Sequence, residues 1–361
     1  MAKISLQTIA DAVGVSKYAV SRALAGKSGV KPGTRDKIIE AATRLGYFAQ
    51  QKTARPKEDE AVAPVQSKRL AKKAIAVVLP NVEAQTKQNP YWGKVLQGIA
   101  SGIEQWDGLN MVIVTEQFSH NLSSVLNTQA LLGYIGVGNV PAPLLLEIKQ
   151  SGLPFVFVDF EAPLLPADAI FMNNFDCVRR LTNYLIGIGH RSFQFVGNAS
   201  RHRSYYDRWR GFASALDDDG IPHKQDGGLL HVVDDHPDQI DSQIAERLAS
   251  LAASGALPTA FVCANDQFAA SVVAALRSLG LSVPDDCSVT GFDDLSESSA
   301  DLTTVRSAKE AIGKRAVEML IRRVDRPDES RETILLSGDL LIRRSTAAPE
   351  PLRSQRGPVR I

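Results

Sequence analysis

Four side chains near the amino end, Lys17, Tyr18, Ser21 and Arg22, are all cationic or hydrogen-bonding and share one side of a short segment. Groups of this kind neutralise phosphates and meet the donors and acceptors that base edges present in a DNA major groove. Two short helices are expected to hold them. In SLQTIADAVGVSKYAVSRALA (5–25), Ile9, Ala10 and Val13 form one apolar set and Ala19, Val20, Ala23 and Leu24 a second, with the period of a buried helical face. Gly14 lies between the sets, where a left-handed residue ends a helix, and Ser16 can cap the free N–H groups of the next one. The pattern is a helix-turn-helix. It also fits a small helical subdomain with a solvated polar face. A third helix is expected over 32–45, with Pro32 in its first turn, Ile38, Ile39, Ala42 and Leu45 turned inward, and Gly46 as its stop.

The wording IADAVGVSKYAVSRAL, followed by VKPGTRDKIIEAATRLGY, resembles the amino-terminal DNA-binding domain of the LacI/GalR family of bacterial transcription regulators. The resemblance covers about the first fifty residues. It implies that Lys17, Tyr18 and Arg22 read bases, while Ser16, Ser21, Thr34 and Tyr47 hold the DNA backbone. Ala19 and Ala25 stand where the family usually has Thr and Asn, so the resemblance does not carry those two phosphate contacts over to this chain. After Phe48 the family pattern fades: Ala49 and Gln50 replace Pro-Asn, Pro56 interrupts any helix, and no leucine follows until Leu70. Relatives insert such a leucine into the minor groove at the operator centre. Here the segment either orders only on DNA or has lost that wedge.

A chain of 361 residues with 44% hydrophobic and 22% charged residues should hold two or three ordinary domains. The net charge of +1 hides an asymmetry. Residues 1–73 carry 15 Lys and Arg against 6 Asp and Glu, a net +9, so the remainder carries −8. A basic head on an acidic body is expected if only the head touches nucleic acid. Cys177, Cys263 and Cys287 show no metal-ligand spacing and read as buried thiols. No apolar run is long enough to span a bilayer and none reads as a signal peptide, so a cytoplasmic location is expected.

From Ala74 onward, short apolar runs (AIAVVLP, MVIVT, FVFVD, FQFVG, LLHVV, AFVCA, SVTGF) alternate with amphipathic segments of helical length. This alternation argues for parallel α/β sheets with ligands at the carboxyl ends of strands. The expected fold is a three-helix helix-turn-helix domain plus an α/β two-lobed core, similar by the family resemblance to a periplasmic binding protein, with parallel sheets flanked by helices. The boundaries expected are a DNA-binding domain at 1–50, a hinge or linker at 51–73, a core at 74–345 and a disordered tail at 346–361. Within the core, lobe 1 is expected at about 74–171 plus 300–325, and lobe 2 at about 172–299 plus 326–345.

Family motifs recur in order through the second half, and they imply that Arg208, Asn265 and Asp293 bind a small effector. Their donors and acceptors suit a polyol. Asn265 could equally cap the following helix, and Asp293-Asp294 could hold a turn. Asn89-Pro90-Tyr91-Trp92 matches a motif whose aromatics line the effector pocket, although Tyr91 or Trp92 can also simply pack at a helix start. The cluster Arg201, His202, Arg203, Arg208 and Arg210 suits either an anionic effector such as a sugar acid or a solvated loop. No nucleophile elbow, P-loop or zinc-protease motif is present, and neither catalytic residues, a metal nor a cofactor is expected. His190 reads as a turn residue. The reading that follows is a transcription regulator, a repressor, acting as a homodimer or higher oligomer on a near-palindromic operator. Its affinity for double-stranded DNA is set by a carbohydrate or sugar acid bound between the lobes. The alternative is a cytosolic sugar-binding module with weak or lost operator binding.

Overall fold

The computed structural model describes residues 5–24, 30–44, 73–79, 90–115, 122, 126–233, 237–295 and 300–349. The chain divides into two compact units, Met1–Pro64 and Val65–Ile361.

In the first unit, helices α1 (Leu6–Val13), α2 (Lys17–Leu24) and α3 (Pro32–Arg44) surround a core of Ile9, Ala10, Val20, Ala23, Ile38, Ala41 and Ala42. Ser5 and Thr8 form a reciprocal capping box at the start of α1. Gly14 ends that helix with φ of 70°, its N–H bonded to the Ala10 carbonyl. A side chain at this left-handed position would be strained, which is why the turn needs glycine. Tyr47 and residues 51–72 of the expected hinge lie outside the described residues.

The second unit contains two parallel sheets. The larger runs in the order β10 (Thr333–Leu336), β5 (Asp168–Met172), β4 (Phe155–Val158), β3 (Leu131–Val137), β1 (Ala74–Val78), β2 (Asn110–Val114). Alternate residues of β1 enter different cores. Ile75 and Val77 pack beneath α4 (Pro90–Ile103) and α11 (Lys309–Asp325), whereas Ala76 and Val78 pack beneath α5 (Ala142–Ser151). Burial on both faces explains why the strand is apolar throughout. The second lobe has the order β6 (Phe193–Val196), β7 (Ala260–Cys263), β8 (Ser288–Thr290), also parallel. Around it lie α6 (Asn174–Gly187), α7 (Arg203–Asp218), α8 (Gly227–Leu230), α9 (Pro237–Ala253) and α10 (Asp266–Ser278).

Three expectations are corrected. LLHVV does not form a strand: Asp226 caps a short helix by accepting from Leu229 N at 3.0 Å, leaving His231 a single bridge to Asn198. The returns between lobes also fall elsewhere. Strand β9 (Thr304–Arg306) pairs antiparallel with β11 (Asp339–Leu341), and Leu302, Val305 and Leu340 pack into the second core. Strand β10 instead adds in parallel to β5 of the first lobe. Residues 302–306 therefore belong with the second lobe, 309–336 with the first and 339–346 with the second, because hydrogen-bonding register and burial decide the partner. Finally, the ordered chain passes the expected boundary at 345. Thr346 Oγ1 lies 2.8 Å from Thr303 Oγ1, and buried His190 sets its Nε2 3.0 Å from the Ala347 carbonyl. Residues 350–361 of the expected tail lie outside the described residues.

Helices α4 and α11 touch backbone to backbone. A Cβ at Gly98 would overlap the Glu310 carbonyl, and one at Gly313 would overlap the Val95 carbonyl. Gly313→Ala should therefore destabilise the protein by about 1–3 kcal/mol in urea denaturation, the usual penalty for overpacking. Gly187→Ala, whose added Cβ meets nothing, should be neutral or stabilising by at most about 1 kcal/mol in the same assay.

Candidate DNA-contact face and effector site

The head's core takes Val20 and Ala23 from α2, and the rest of that helix is left outward. Lys17, Tyr18 and Ser21 are exposed, Tyr18 at 69%, and Arg22 is half-buried. Arg22 Nη1 donates to Tyr18 Oη at 2.9 Å, one helical turn away, so the two side chains stand as a joined pair. Ser16 Oγ accepts from Ala19 N at 3.2 Å and caps α2, while Thr34 is half-buried at the start of α3. The face thus groups Lys17, Tyr18, Ser21 and Arg22, with Ser16 at the helix start where free N–H groups attract phosphate.

The second grouping lies where the two lobes meet. Arg208, on α7, is buried with its guanidinium 3.7 Å above the Phe292 ring. Its Nε donates to Asn174 Oδ1 at 2.8 Å and its Nη1 to the Ala264 carbonyl at 2.6 Å, which turns Nη2 towards Asp293 Oδ1 at 3.5 Å. Two of its five donors are thus committed to protein acceptors that fix its plane. Asp293 is 5% exposed and has φ of 103°, unusual for a residue with a side chain. Its N donates to the Val305 carbonyl at 2.8 Å, and no described residue donates a hydrogen bond to its buried Oδ1.

Its neighbour takes the turn-holding task. Asp294 accepts from Arg306 Nε at 2.9 Å and pairs with Arg343 Nη2 at 2.9 Å, and those hydrogen bonds hold its carboxyl below the ordinary range despite the opposing effect of burial. Asn265 is spent locally. Its Oδ1 accepts from Phe268 N at 3.0 Å, capping α10, and its Nδ2 donates to Tyr205 Oη at 2.9 Å.

From the first lobe, Tyr91 is buried at the start of α4, and Trp92 packs edge-on against it at 4.9 Å. Burial raises the Tyr91 hydroxyl pKa, the charges of Asp159 and Asp293 raise it further, and Arg208 opposes them. Tyr91, Arg208 and Asp293 therefore share one electrostatic environment, with Trp92 flanking it and Asn265 one hydroxyl behind.

Sequence reading missed Asp159, Ser204 and Lys309. Asp159 follows β4 with φ of 55° and accepts from Ser204 Oγ at 2.5 Å across the lobes. Burial pushes its carboxyl up to about 6, against the pull of Ser204 and Arg208. A clue was present: the Asp closing FVFVD sits at a strand's carboxyl end. Arg203, expected in a cationic cluster, instead pairs with Glu161 at 2.6 Å and lies 4.4 Å over the Phe171 ring. Among the described residues, no group of His, Cys, Asp and Glu is arranged to hold a metal ion, and no helix is long and apolar enough to cross a membrane.

Because folded Asp159 holds its proton up to about pH 6 against an ordinary value of 3.8, its burial penalty is absent in acid and grows as pH rises through that window. Melting temperatures of Asp159→Asn should therefore gain on the parent between about pH 4 and about pH 7 and then level off. Asp266, also pushed up to about 6 by burial, contributes with the same sign in both proteins and cancels in the comparison.

Residues 5–50 match the family described as bacterial regulatory proteins, lacI family, and residues 182–346 match the periplasmic binding protein-like domain. The chain is 27% identical over 358 residues to the HTH-type transcriptional regulator MalR of Streptomyces coelicolor, covering 95% of this chain and 96% of that one. Among solved structures, the transcriptional regulator CelR–cellobiose complex has a TM-score of 0.66 at 21% identity, covering 95% and 99% of the two chains. The lac repressor dimer bound to operator and the anti-inducer ONPF has a TM-score of 0.63 at 23% identity, covering 96% and 100%. The chain therefore joins a lacI-type helix-turn-helix head, which presents a basic face, to a periplasmic binding protein-like α/β core, the domain pair of a DNA-binding transcription regulator.

Proposed function

We propose that the protein is an operator-binding repressor released or engaged by a neutral, hydroxyl-rich sugar held between the lobes. The observation that carries the effector reading is Asp293 Oδ1, a buried acceptor with no hydrogen-bond donor among the described residues, set 3.5 Å from Arg208 Nη2. An acceptor buried in this way costs roughly 1–3 kcal/mol unless a donor reaches it, and a sugar hydroxyl is such a donor. Tyr91 and Trp92 offer the apolar ring surface against which a pyranose stacks. Charge favours a neutral ligand over a sugar acid: Asp159 and Asp293 flank the site, Arg208 has its Nε and Nη1 committed and its Nη2 turned to Asp293, and Arg203 is taken by Glu161. The sugar named in the CelR complex supports the same class.

In this reading Lys17, Tyr18 and Arg22 read base edges, while Ser16, Ser21, Thr34 and Tyr47 hold phosphates. Two copies place two heads on a near-palindromic operator in the cytoplasm, an arrangement supported by the dimeric lac repressor–operator complex. Asp293 and Arg208 contact the sugar directly, and Asn265 acts through Tyr205.

Two measurements test the proposal. In a thermal-shift panel of ribose, cellobiose, galacturonate and glucose 6-phosphate, a neutral sugar should raise the melting temperature, and Asp293→Asn should weaken its binding by at least about tenfold. Stabilisation by the acidic members alone would reverse the charge argument. On an operator selected from random duplexes, Arg22→Ala should weaken binding by about 1–3 kcal/mol while leaving the sugar-induced shift intact. Unchanged operator affinity would instead remove α2 from the reading surface.

A further inference from the structure

Lys309 breaks two rules at once. It is a buried lysine, and it is the first residue of α11, where the helix dipole opposes a cation and the N-cap residue Ala308 offers no side-chain cap. Ion burial is costly enough that such a residue persists only where its ammonium is well used. Here Nζ donates to the Asp293 backbone carbonyl and, at 3.1 Å, to Ser307 Oγ, and it lies 5.9 Å from the centre of the Tyr91 ring. Ser307 Oγ donates to the same Asp293 carbonyl at 3.3 Å. Asp293, Asp266 and Asp294 provide compensating charge, with Lys94 opposed. Both donors to that carbonyl precede or begin a first-lobe helix, whereas Asp293 belongs to the second lobe. The residue they hold is the one with φ of 103°, a conformation that survives only if its surroundings over-determine it.

What Lys309 grips with is equally specific. Helix α11 is fused by glycine contacts to α4, which carries Tyr91 and Trp92 at its own start. Both helices begin at the effector grouping, and the 17 residues of α11 run about 25 Å. At the far end, Trp106 beyond α4 and residues 321–325 of α11 line one cleft of about 1160 Å³ together with Lys73, the last residue of the expected linker.

We propose that Lys309 is a positioning residue that ties the backbone of Asp293 to the α4–α11 pair, so that a shift at the effector carboxylate is passed along that pair to the Lys73 end of the core. The inference rests on the effector reading of Asp293, but its test uses neither sugar nor DNA, so the two can fail separately. Hydrogen–deuterium exchange of full-length Lys309→Met should rise by about tenfold both at 293–295 and at the remote end of α11, 321–325, with the β6–β7–β8 sheet unchanged. Lys309→Arg, which keeps a buried donor, should bring both sites back towards the parent. Acceleration confined to 307–311, or an arginine variant as perturbed as the methionine one, would overturn the proposal. Should Lys309→Met not fold, Ser307→Ala removes the other donor to the same carbonyl and must reproduce the two-site pattern at smaller size. Its failure to do so counts equally against the coupling.

Discussion

A carboxylate held in a left-handed conformation beneath an arginine is the constraint around which the core is arranged. Asp293 can sit there because Phe292 beside it is fully buried under the Arg208 guanidinium, and because its N–H and carbonyl are bonded to Val305 and to the 307–309 segment. Arg208 can lie flat because Asn174 and the Ala264 carbonyl hold two of its edges. Each partner comes from a different stretch of chain: α6, the end of β7, the loop after β8 and strand β9. The second lobe must fold completely before the pair exists, so the site depends on the whole domain rather than on a local motif.

The threading of the chain makes this site common to both lobes. Strand β5 leads into α6 at Asn173, β9 leads into α11 at Ser307, and β10 leads into β11 at Gly338, so three crossings lie near the same place. Asn173 N bonds to the Leu336 carbonyl at 2.7 Å, and Arg180 Nη2 donates to the Gly338 carbonyl at 2.9 Å, which binds the first crossing to the third. Contacts that cross between lobes, Ser204 with Asp159 and Arg203 with Glu161, then close the face where α7 begins. A ligand that altered any of these would bias the relative arrangement of the lobes, and a ligand can shift a conformational equilibrium only through such differences in contact.

The head obeys a simpler rule. Its seven buried apolar residues among those described make a small core, and the orientation of α2 follows from placing Val20 and Ala23 within it. Once those two are buried, the helical period leaves Lys17, Tyr18 and Ser21 outside with no further information. The side chains proposed to read DNA and those that build the core therefore occupy opposite sides of one eight-residue helix.

The amino-acid sequence by itself determined whatever depends on local periodicity and local conformation. The helix-turn-helix pair, the Gly14 turn and the Ser16 cap were legible, as were the apolar strands β1, β4, β6 and β7, because burial on both faces leaves a continuous apolar run. Strands β3, β5 and β9–β11 were not read: Gly133 and Gly136 interrupt β3 although it is buried throughout, β5 opens on the buried Asp168, and β9–β11 are only three or four residues long and are assigned by pairing. Tertiary structure decided everything that requires residues distant in the chain to meet. Two adjacent aspartates, indistinguishable as letters, were separated into Asp294 bonded to arginines and Asp293 left with a buried oxygen. Asn265 was turned into a helix cap, and Arg203 was drawn into an ion pair. Asp159 and Lys309, an ordinary strand end and an ordinary lysine in sequence, acquired their character from desolvation and from the groups facing them. Burial and partner choice are properties of the folded chain, and no spacing of residue types encodes them.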